Sequence, residues 1–276
     1  MSRQATSLLP YFGGNRTLGH RVGELLEGCT HVTVPFAGGM GELLHIGART
    51  LVVSDLNRHA IALAGVLALP DLGPKLIRRL RRWVFHPDAL RAAQERCRGY
   101  ERDGPPADLV QWAEDYFACC WMTRSGVAGT GKEFRDGLSV RWDAGGGDSA
   151  TRFRSAVEAL RAWRRIVPRC TFLVADAFEV LAKVKDQAGC GAYCDPPWPD
   201  DGDRYTHKFS EAQQRELARV LGGFTATRVV VRFGDHELIR ELYPHDKWVW
   251  HELTGRTQAN GAKAEVLLVN KTTEAA

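Results

Sequence analysis

Both ends of this chain alternate short apolar runs with helix-period stretches, the pattern of a mostly parallel β-sheet joined by crossover helices. In the N-terminal part, Thr30–Val34 reads as a strand followed by a Gly-rich turn and a helix near Gly41–Ala48. Thr50–Ser54 is a second strand and Asn57–Leu69 a second helix, ended by Pro70. The pattern resumes with a strand at Thr171–Ala175, a helix at Phe178–Val184 and a strand at Gly191–Cys194. Ser210–Leu221 is a helix opened by a capping box, Ser210 with Gln213. Arg228–Arg232 is a strand and His236–Leu242 a short helix. Trp248–His251 and Glu265–Val269 close the set, the last expected to be antiparallel.

The middle breaks this rhythm. Lys75–Val84, Asp88–Arg98 and Ala107–Met122 carry helical periodicity, interrupted by Pro87 and by Gly104-Pro105-Pro106. Ser125–Arg135 reads as a polar, Gly-rich loop and Leu138–Trp142 as a short strand before Gly145-Gly146-Gly147. Ala150–Ile166 reads as a long basic helix. The expected architecture is therefore α/β: a mostly parallel, Rossmann-like sheet built from residues 1–71 and 168–276, with a helical insertion over 72–167.

Charge follows the same division. Residues 73–169 hold 19 Lys and Arg against 12 Asp and Glu, a net of +7, whereas the whole chain is only +4. A basic middle between mildly acidic flanks suits a polyanionic partner, and a basic solvated surface suits it equally. With 25% charged and 44% hydrophobic residues the composition is that of a globular protein, which argues against disorder and coiled coil. No apolar run approaches the roughly 20 residues of a membrane helix, and residues 1–10 lack the apolar core of a secretory signal. Seven cysteines, an odd number without paired C-x-x-C spacing, are expected to be free thiols in a reducing cytoplasm, with no metal site.

Four stretches carry chemistry. Asp195-Pro196-Pro197-Trp198 directly follows the Gly191–Cys194 strand, where ligands of open α/β sheets bind. An exocyclic amine is a poor nucleophile until it is positioned and its growing positive charge is stabilised. The Asp195 carboxylate can accept one amine hydrogen and the Pro196 carbonyl the other. Pro196 and Pro197 stiffen the turn, and Trp198 offers a flat face for a base. Second, Pro35-Phe36-Ala37-Gly38-Gly39 lies between the first strand and its helix, where glycines admit a ligand to the backbone. It is not the G-x-G-x-x-G of a nicotinamide site. Asp55, followed by Leu56, ends the next strand and is placed either for a ribose hydroxyl pair or as a helix N-cap. Third, Asp176-Ala177-Phe178 ends another strand, with Asp176 either accepting from a nucleobase amine or capping the following helix. Fourth, Tyr11-Phe12-Gly13-Gly14-Asn15 reads as a segment closing over a ligand or as a turn packed on the sheet.

Taken together, these stretches resemble the Dam-like, alpha-group family of adenine-specific DNA methyltransferases, in the family's order and over nearly the whole chain. Leu138-Ser139-Val140-Arg141-Trp142, Phe209-Ser210 and Glu265-Val266-Leu267-Leu268-Val269-Asn270 add weaker matches. The resemblance implies a sheet of the S-adenosylmethionine-dependent methyltransferase type. It places the target adenine on Asp195, Pro196, Pro197 and Trp198. It places S-adenosyl-L-methionine on Tyr11, Gly13, Gly14, Asn15, Pro35, Phe36, Ala37, Gly38, Gly39, Asp55, Leu56, Asp176, Ala177 and Phe178. The insertion becomes the target-recognition region, in which Arg124, Lys132, Arg135 and Arg141 follow the phosphates of double-stranded DNA. Neither a membrane nor an obligatory protein partner is expected.

Three positions depart from the family. Trp198 replaces the usual Tyr, Asn15 stands where Lys is usual, and Val34 stands where an acidic residue often precedes Pro-Phe. Three rival readings remain: an RNA adenine methyltransferase, a non-catalytic DNA-binding relative, and a cytosine-amine methyltransferase, the last more often carrying Ser at position 195. The arginines of the basic helix (Arg152, Arg154, Arg161, Arg164 and Arg165) fit a solvated face as well as a DNA face.

Overall fold

The structure is a computed structural model that describes residues 7–14, 18–124, 127–142, 147–199, 204–256 and 262–271. The chain divides into two compact units, one sheet-based and one helical.

The sheet unit comprises Asn15–Ala37, His45–Leu56 and Arg169–Ala276. Among the described residues its seven strands are β1 (His31–Val34), β2 (Thr50–Asp55), β3 (Cys170–Val174), β4 (Cys190–Cys194), β5 (Arg228–Gly234), β6 (Trp248–Arg256) and β7 (Ala262–Asn270). Their order is β3-β2-β1-β4-β5-β7-β6. The first five are mutually parallel, and β7 is antiparallel to both β5 and β6. The expected α/β sheet is thus present as a mixed, mostly parallel one. The strand order reverses between β1 and β4, the switch point at which doubly wound sheets open a ligand crevice beyond the carboxyl ends of their strands.

Alternation sorts the side chains of this sheet. Ala192, Cys194, Val229, Val231, Phe233, Val266 and Leu268 share one buried cluster with Leu181 of α7 (Ala177–Leu181), Leu217 and Leu221 of α8 (Glu211–Leu221) and Ile239 of α9 (Glu237–Leu242). The alternate residues Tyr193, Arg232, Glu265 and Leu267 therefore belong to the other face. The capping box of α8 forms as expected: Ser210 accepts from the Gln213 N–H, and the Gln213 side chain accepts in return. A short helix, α1 (Gly19–Leu25), precedes β1.

The helical unit comprises Met1–Gly14, Gly38–Leu44 and Asn57–Pro168, so it begins well before residue 72 and gathers two segments from near the N-terminus. Its helices are α2 (Arg58–Ala68), α3 (Leu72–Leu80), α4 (Pro87–Asp103), α5 (Leu109–Met122) and α6 (Ser149–Trp163). Four of these five starts have a local cause. Asn57 accepts from the N–H groups of His59 and Ala60, Asp108 from those of Val110 and Gln111, and Asp148 from that of Thr151. Pro87 sits in the first turn of α4, where its missing N–H costs nothing. From Trp112 to Met122 every residue of α5 is buried, because α2, α3, α4 and α6 all pack against it.

Two expectations fail. The helix expected near Gly41–Ala48 is a single 3-10 turn, Gly41–Leu44. No regular helix N-terminus follows the Gly-rich turn, so the donors expected of one are not supplied there. Leu138–Trp142 is not a strand. Ser139 N–H donates to the Met122 carbonyl, and with Val140 and Trp142 exposed the segment lacks the buried face that stabilises a strand. All seven cysteines are free thiols. No single helix among the described residues is long and apolar enough to cross a membrane.

Candidate functional site

Four neighbouring parallel strands present their carboxyl ends side by side, and each leads into a segment marked in the sequence: β3 into Asp176, β2 into Asp55, β1 into Phe36 and β4 into Asp195. Three strand spacings span about 14 Å, the reach of an extended nucleoside-sized ligand. The ends are tied together. Ala37 N–H donates to the Ser54 carbonyl at 2.9 Å, and the buried Ser54 hydroxyl donates to the Ala175 carbonyl at 2.9 Å.

Asp195 anchors the β4 end. One step beyond the paired residues Cys194 and Val231, parallel register sets Asp195 beside Arg232. Arg232 Nη1 donates to Asp195 Oδ2 at 2.8 Å, and the Tyr193 hydroxyl reaches the same oxygen at 3.5 Å. Arg232 opposes Leu267 across the β5–β7 ladder, so Glu265 is its diagonal neighbour on the same face. Glu265 Oε2 accepts from Arg232 Nε at 3.0 Å and from Nη2 at 2.8 Å. Side-chain exposure is 6% for Arg232, 5% for Glu265 and 16% for Asp195, so this Asp–Arg–Glu row is almost dry and only Asp195 has an open edge. Burial pushes the Asp195 carboxyl above the ordinary carboxylate range, with the Arg232 charge and a Trp198 hydrogen bond pulling it back. Arg232 itself is held charged by its carboxylate neighbours, which outweigh the cost of its burial.

The rest of the tetrad is fixed from below. The Gln214 side chain of α8 donates to the Pro197 carbonyl at 2.7 Å. The Arg232 guanidinium carbon lies 5.0 Å from the centre of the Trp198 ring, a cation–π contact that orients the indole. Pro196 is buried, whereas Pro197 and Trp198 are partly exposed.

Beyond β1, Pro35 and Ala37 are buried and Phe36 is partly exposed. Phe36 meets Phe209 edge-on at 5.6 Å, and Phe178 stacks on Phe209 at 6.1 Å with 9° between the rings. Beyond β2, the cap of α2 belongs to Asn57, so Asp55 does not serve as that cap. Leu56 next to it is 43% exposed, a large apolar side chain open to solvent at a strand end. Beyond β3, Asp176 does cap α7, accepting from Phe178 N–H at 2.8 Å, so the local reading of this residue holds; Ala177 is buried behind it.

The other predicted residues, Asn15 apart, belong to the helical unit. Tyr11 bridges to Ala128, and Phe12 N–H donates to the Ala128 carbonyl at 3.0 Å. Gly14 N–H donates to the Tyr11 carbonyl, and Gly13 has φ 68°. Gly38 and Gly39 were expected to make room for a ligand. Here the room is taken by the chain itself: a Cβ at Gly39 would lie 2.8 Å from the Leu9 carbonyl oxygen, and one at Gly38 3.3 Å from the Tyr11 ring. Asn57 Nδ2 donates to the hydroxyls of Tyr11 and Tyr116 at 3.3 and 3.0 Å. Tyr116 in turn donates to the buried Glu133 at 2.6 Å. Asn15 lies outside the described residues. Arg124, Lys132, Arg135 and Arg141 are all exposed, Arg124 facing Asp136 at 3.4 Å. Arg152 is only partly exposed and turns inward: it donates to the Trp121 and Thr123 carbonyls and satisfies the C-terminal end of α5.

Sequence reasoning missed Arg232, Glu265 and Gln214. The first two had a signal: a lone charge inside an apolar run that reads as a buried strand must find a partner. Gln214 had none, since one polar residue on an amphipathic helix is ordinary. Comparison of the chain with protein-family models gives no match, and comparison with curated proteins gives none.

Proposed function

We propose that this chain is an S-adenosylmethionine-dependent methyltransferase that modifies the exocyclic 6-amino nitrogen of adenine in duplex DNA, with the target base flipped out of the helix. The reading rests on one observation: Asp195-Pro196-Pro197-Trp198 lies at the carboxyl end of β4, beside the switch point, with its carboxylate locked by a buried cation. Arg232 and Tyr193 address Oδ2 and a Trp198 hydrogen bond also reaches the carboxyl, so the group is held in place with its partly exposed edge toward an incoming amine hydrogen. Accepting that hydrogen stabilises the positive charge that grows on the nitrogen during transfer. The stiff Pro196-Pro197 turn sets the distance, and the Trp198 face receives the base.

When bound, S-adenosylmethionine supplies the electrophilic methyl group. Within the sheet unit the residues fit its adenosyl part: Asp55 for the ribose hydroxyl pair, the exposed Leu56 and the partly exposed Phe178 for the base faces, and the second oxygen of Asp176 for the base amine. No cysteine serves as a nucleophile beside the tetrad. Cys194 is fully buried, and burial pushes its thiol up. Transfer is therefore direct, from donor to nitrogen.

The test is long-read detection of modified bases in DNA from cells expressing this chain, beside an Asp195→Ala control. Methylated adenine in one short motif, absent from the control, is the expected result. Purified Asp195→Ala should bind the cofactor within a few fold of wild type. Unmodified DNA with methylated structured RNA would transfer the reading to RNA, and methylation of neither would refute it.

A further inference from the structure

We infer a second nucleic-acid contact, a phosphate-binding groove between α3 and α6, in which Arg78 and Arg81 join Arg161 and Arg164 of the basic helix, apart from the loop arginines Arg124, Arg135 and Arg141. The choice of duplex DNA as its occupant rests on the methyltransferase reading. The groove, of about 230 Å³, is lined by Pro74, Ile77, Arg78, Arg81, Arg161 and Arg164, all in the helical unit.

Charge balance marks this surface. Several exposed arginines elsewhere each meet at least one carboxylate: Arg102 with Asp103, Arg215 with Glu211 and Glu241, Arg219 with Glu216, Arg240 with Asp235. Along the groove the four arginines meet one carboxylate, Glu158, which Arg81 holds through two bonds of 2.8 and 2.5 Å. Arg161 only adds to the field around the same carboxylate. No acidic residue occurs between Leu72 and Val84. Arg164 is braced against the Pro70 carbonyl at 3.4 Å, and its Nε is buried without a protein acceptor.

Like charges gathered on two helices repel, and an arrangement of this kind is favourable when a polyanion sits on it. The donors are all guanidinium forks, which match phosphate oxygens in pairs, and no lysine takes part. The groove is partly open to solvent, so it suits a backbone lying on the surface rather than an enclosed small ligand. Such contacts position a duplex without reading its sequence.

The experiment is fluorescence anisotropy of labelled duplexes of two unrelated sequences, 20 base pairs long, from 50 to 200 mM KCl, without cofactor. Wild type is compared with R78Q/R161Q and R78K/R161K; both positions are exposed, and circular dichroism checks the fold. Each lost phosphate contact lowers the salt slope by about 0.9, so the Gln pair should lose nearly two units of slope. It should bind both duplexes about tenfold more weakly at the upper salt, and the Lys pair should retain most of the slope. An unchanged slope and affinity in R78Q/R161Q, or no duplex binding by wild type, would overturn the inference. Methyl transfer measured in parallel separates the two readings. Binding through these arginines without transfer refutes the function alone, and transfer with unaltered binding by the Gln pair refutes the groove alone.

Discussion

Replacing Arg232 with Met is the sharpest perturbation this structure offers. The guanidinium makes three hydrogen bonds of 2.8 to 3.0 Å to two carboxylates, and its loss leaves Glu265, 5% exposed, without its cation. Stranding a buried charge in this way costs about 3–5 kcal/mol. With a urea slope near 3 kcal/mol per M for a chain of this size, the midpoint should fall by about 1–2 M. Arg232→Met/Glu265→Leu removes the stranded charge as well and should recover at least about 2 kcal/mol, because a double-mutant cycle isolates the pair. Urea titration followed by tryptophan fluorescence reads wild type, Arg232→Met, Glu265→Leu and the double mutant. A single mutant within about 1 kcal/mol of wild type, or a double mutant no better than the sum of its parts, would refute the claim that the row is a buried, mutually dependent network.

The same variant tests the chemistry. The Asp195 carboxyl already sits above its ordinary range through burial, and Arg232 is the charge that limits the rise. Without that cation its pKa climbs further, so methyl transfer at a fixed pH should fall and partly return as pH rises. Activity equal to wild type across the pH range would remove Arg232 from any positioning role.

Two further outcomes follow from the helical unit. His59 is buried between Trp112, whose indole N–H donates to Nδ1 at 2.6 Å, and Glu101, 2.5 Å from Nε2. A proton on Nδ1 would displace the indole bond, and burial lowers the His59 pKa to about 4. The neutral form is the folded form, so its stabilising effect is complete above the ordinary pKa of 6.5 and is lost as pH falls towards 4. The loss is on the order of 3 kcal/mol and should be absent in His59→Phe, as thermal unfolding from pH 7.5 to 4.5 will show. Gly129 has φ 81°, and a Cβ there would lie 2.4 Å from the Tyr11 ring. Gly129→Ala should therefore destabilise the N-terminal segment by about 2 kcal/mol or more, seen as faster amide exchange at Phe12, whose N–H bonds Ala128.

Part of the site could be read along the chain because its causes are local. Asp195-Pro196-Pro197-Trp198 follows a five-residue apolar strand, and a strand end in an α/β pattern is where ligands bind. Asn57, Asp108 and Asp148 cap helices through N–H groups two or three residues away, and the α8 capping box closes on itself within four residues. Where local signals were ambiguous, geometry chose: the cap of α2 went to Asn57 rather than Asp55, and Asp176 took the cap of α7. The expected strand at Leu138–Trp142 had the right residues, but a strand exists only where a neighbour completes its ladder.

By itself the sequence determined where the backbone extends or coils and which residue types stand at the strand ends, because periodicity, capping and turn chemistry act within a few residues. Only the tertiary structure decided which of those residues act together. Register across β4, β5 and β7 brings Asp195, Arg232 and Glu265 into one row although they are far apart in the chain. Packing around α5 draws residues 57–71, read from the sequence as part of the sheet domain, into the helical unit. Pairing and burial depend on neighbours that arrive from distant segments, so a buried charge and its partner are fixed by the fold as a whole.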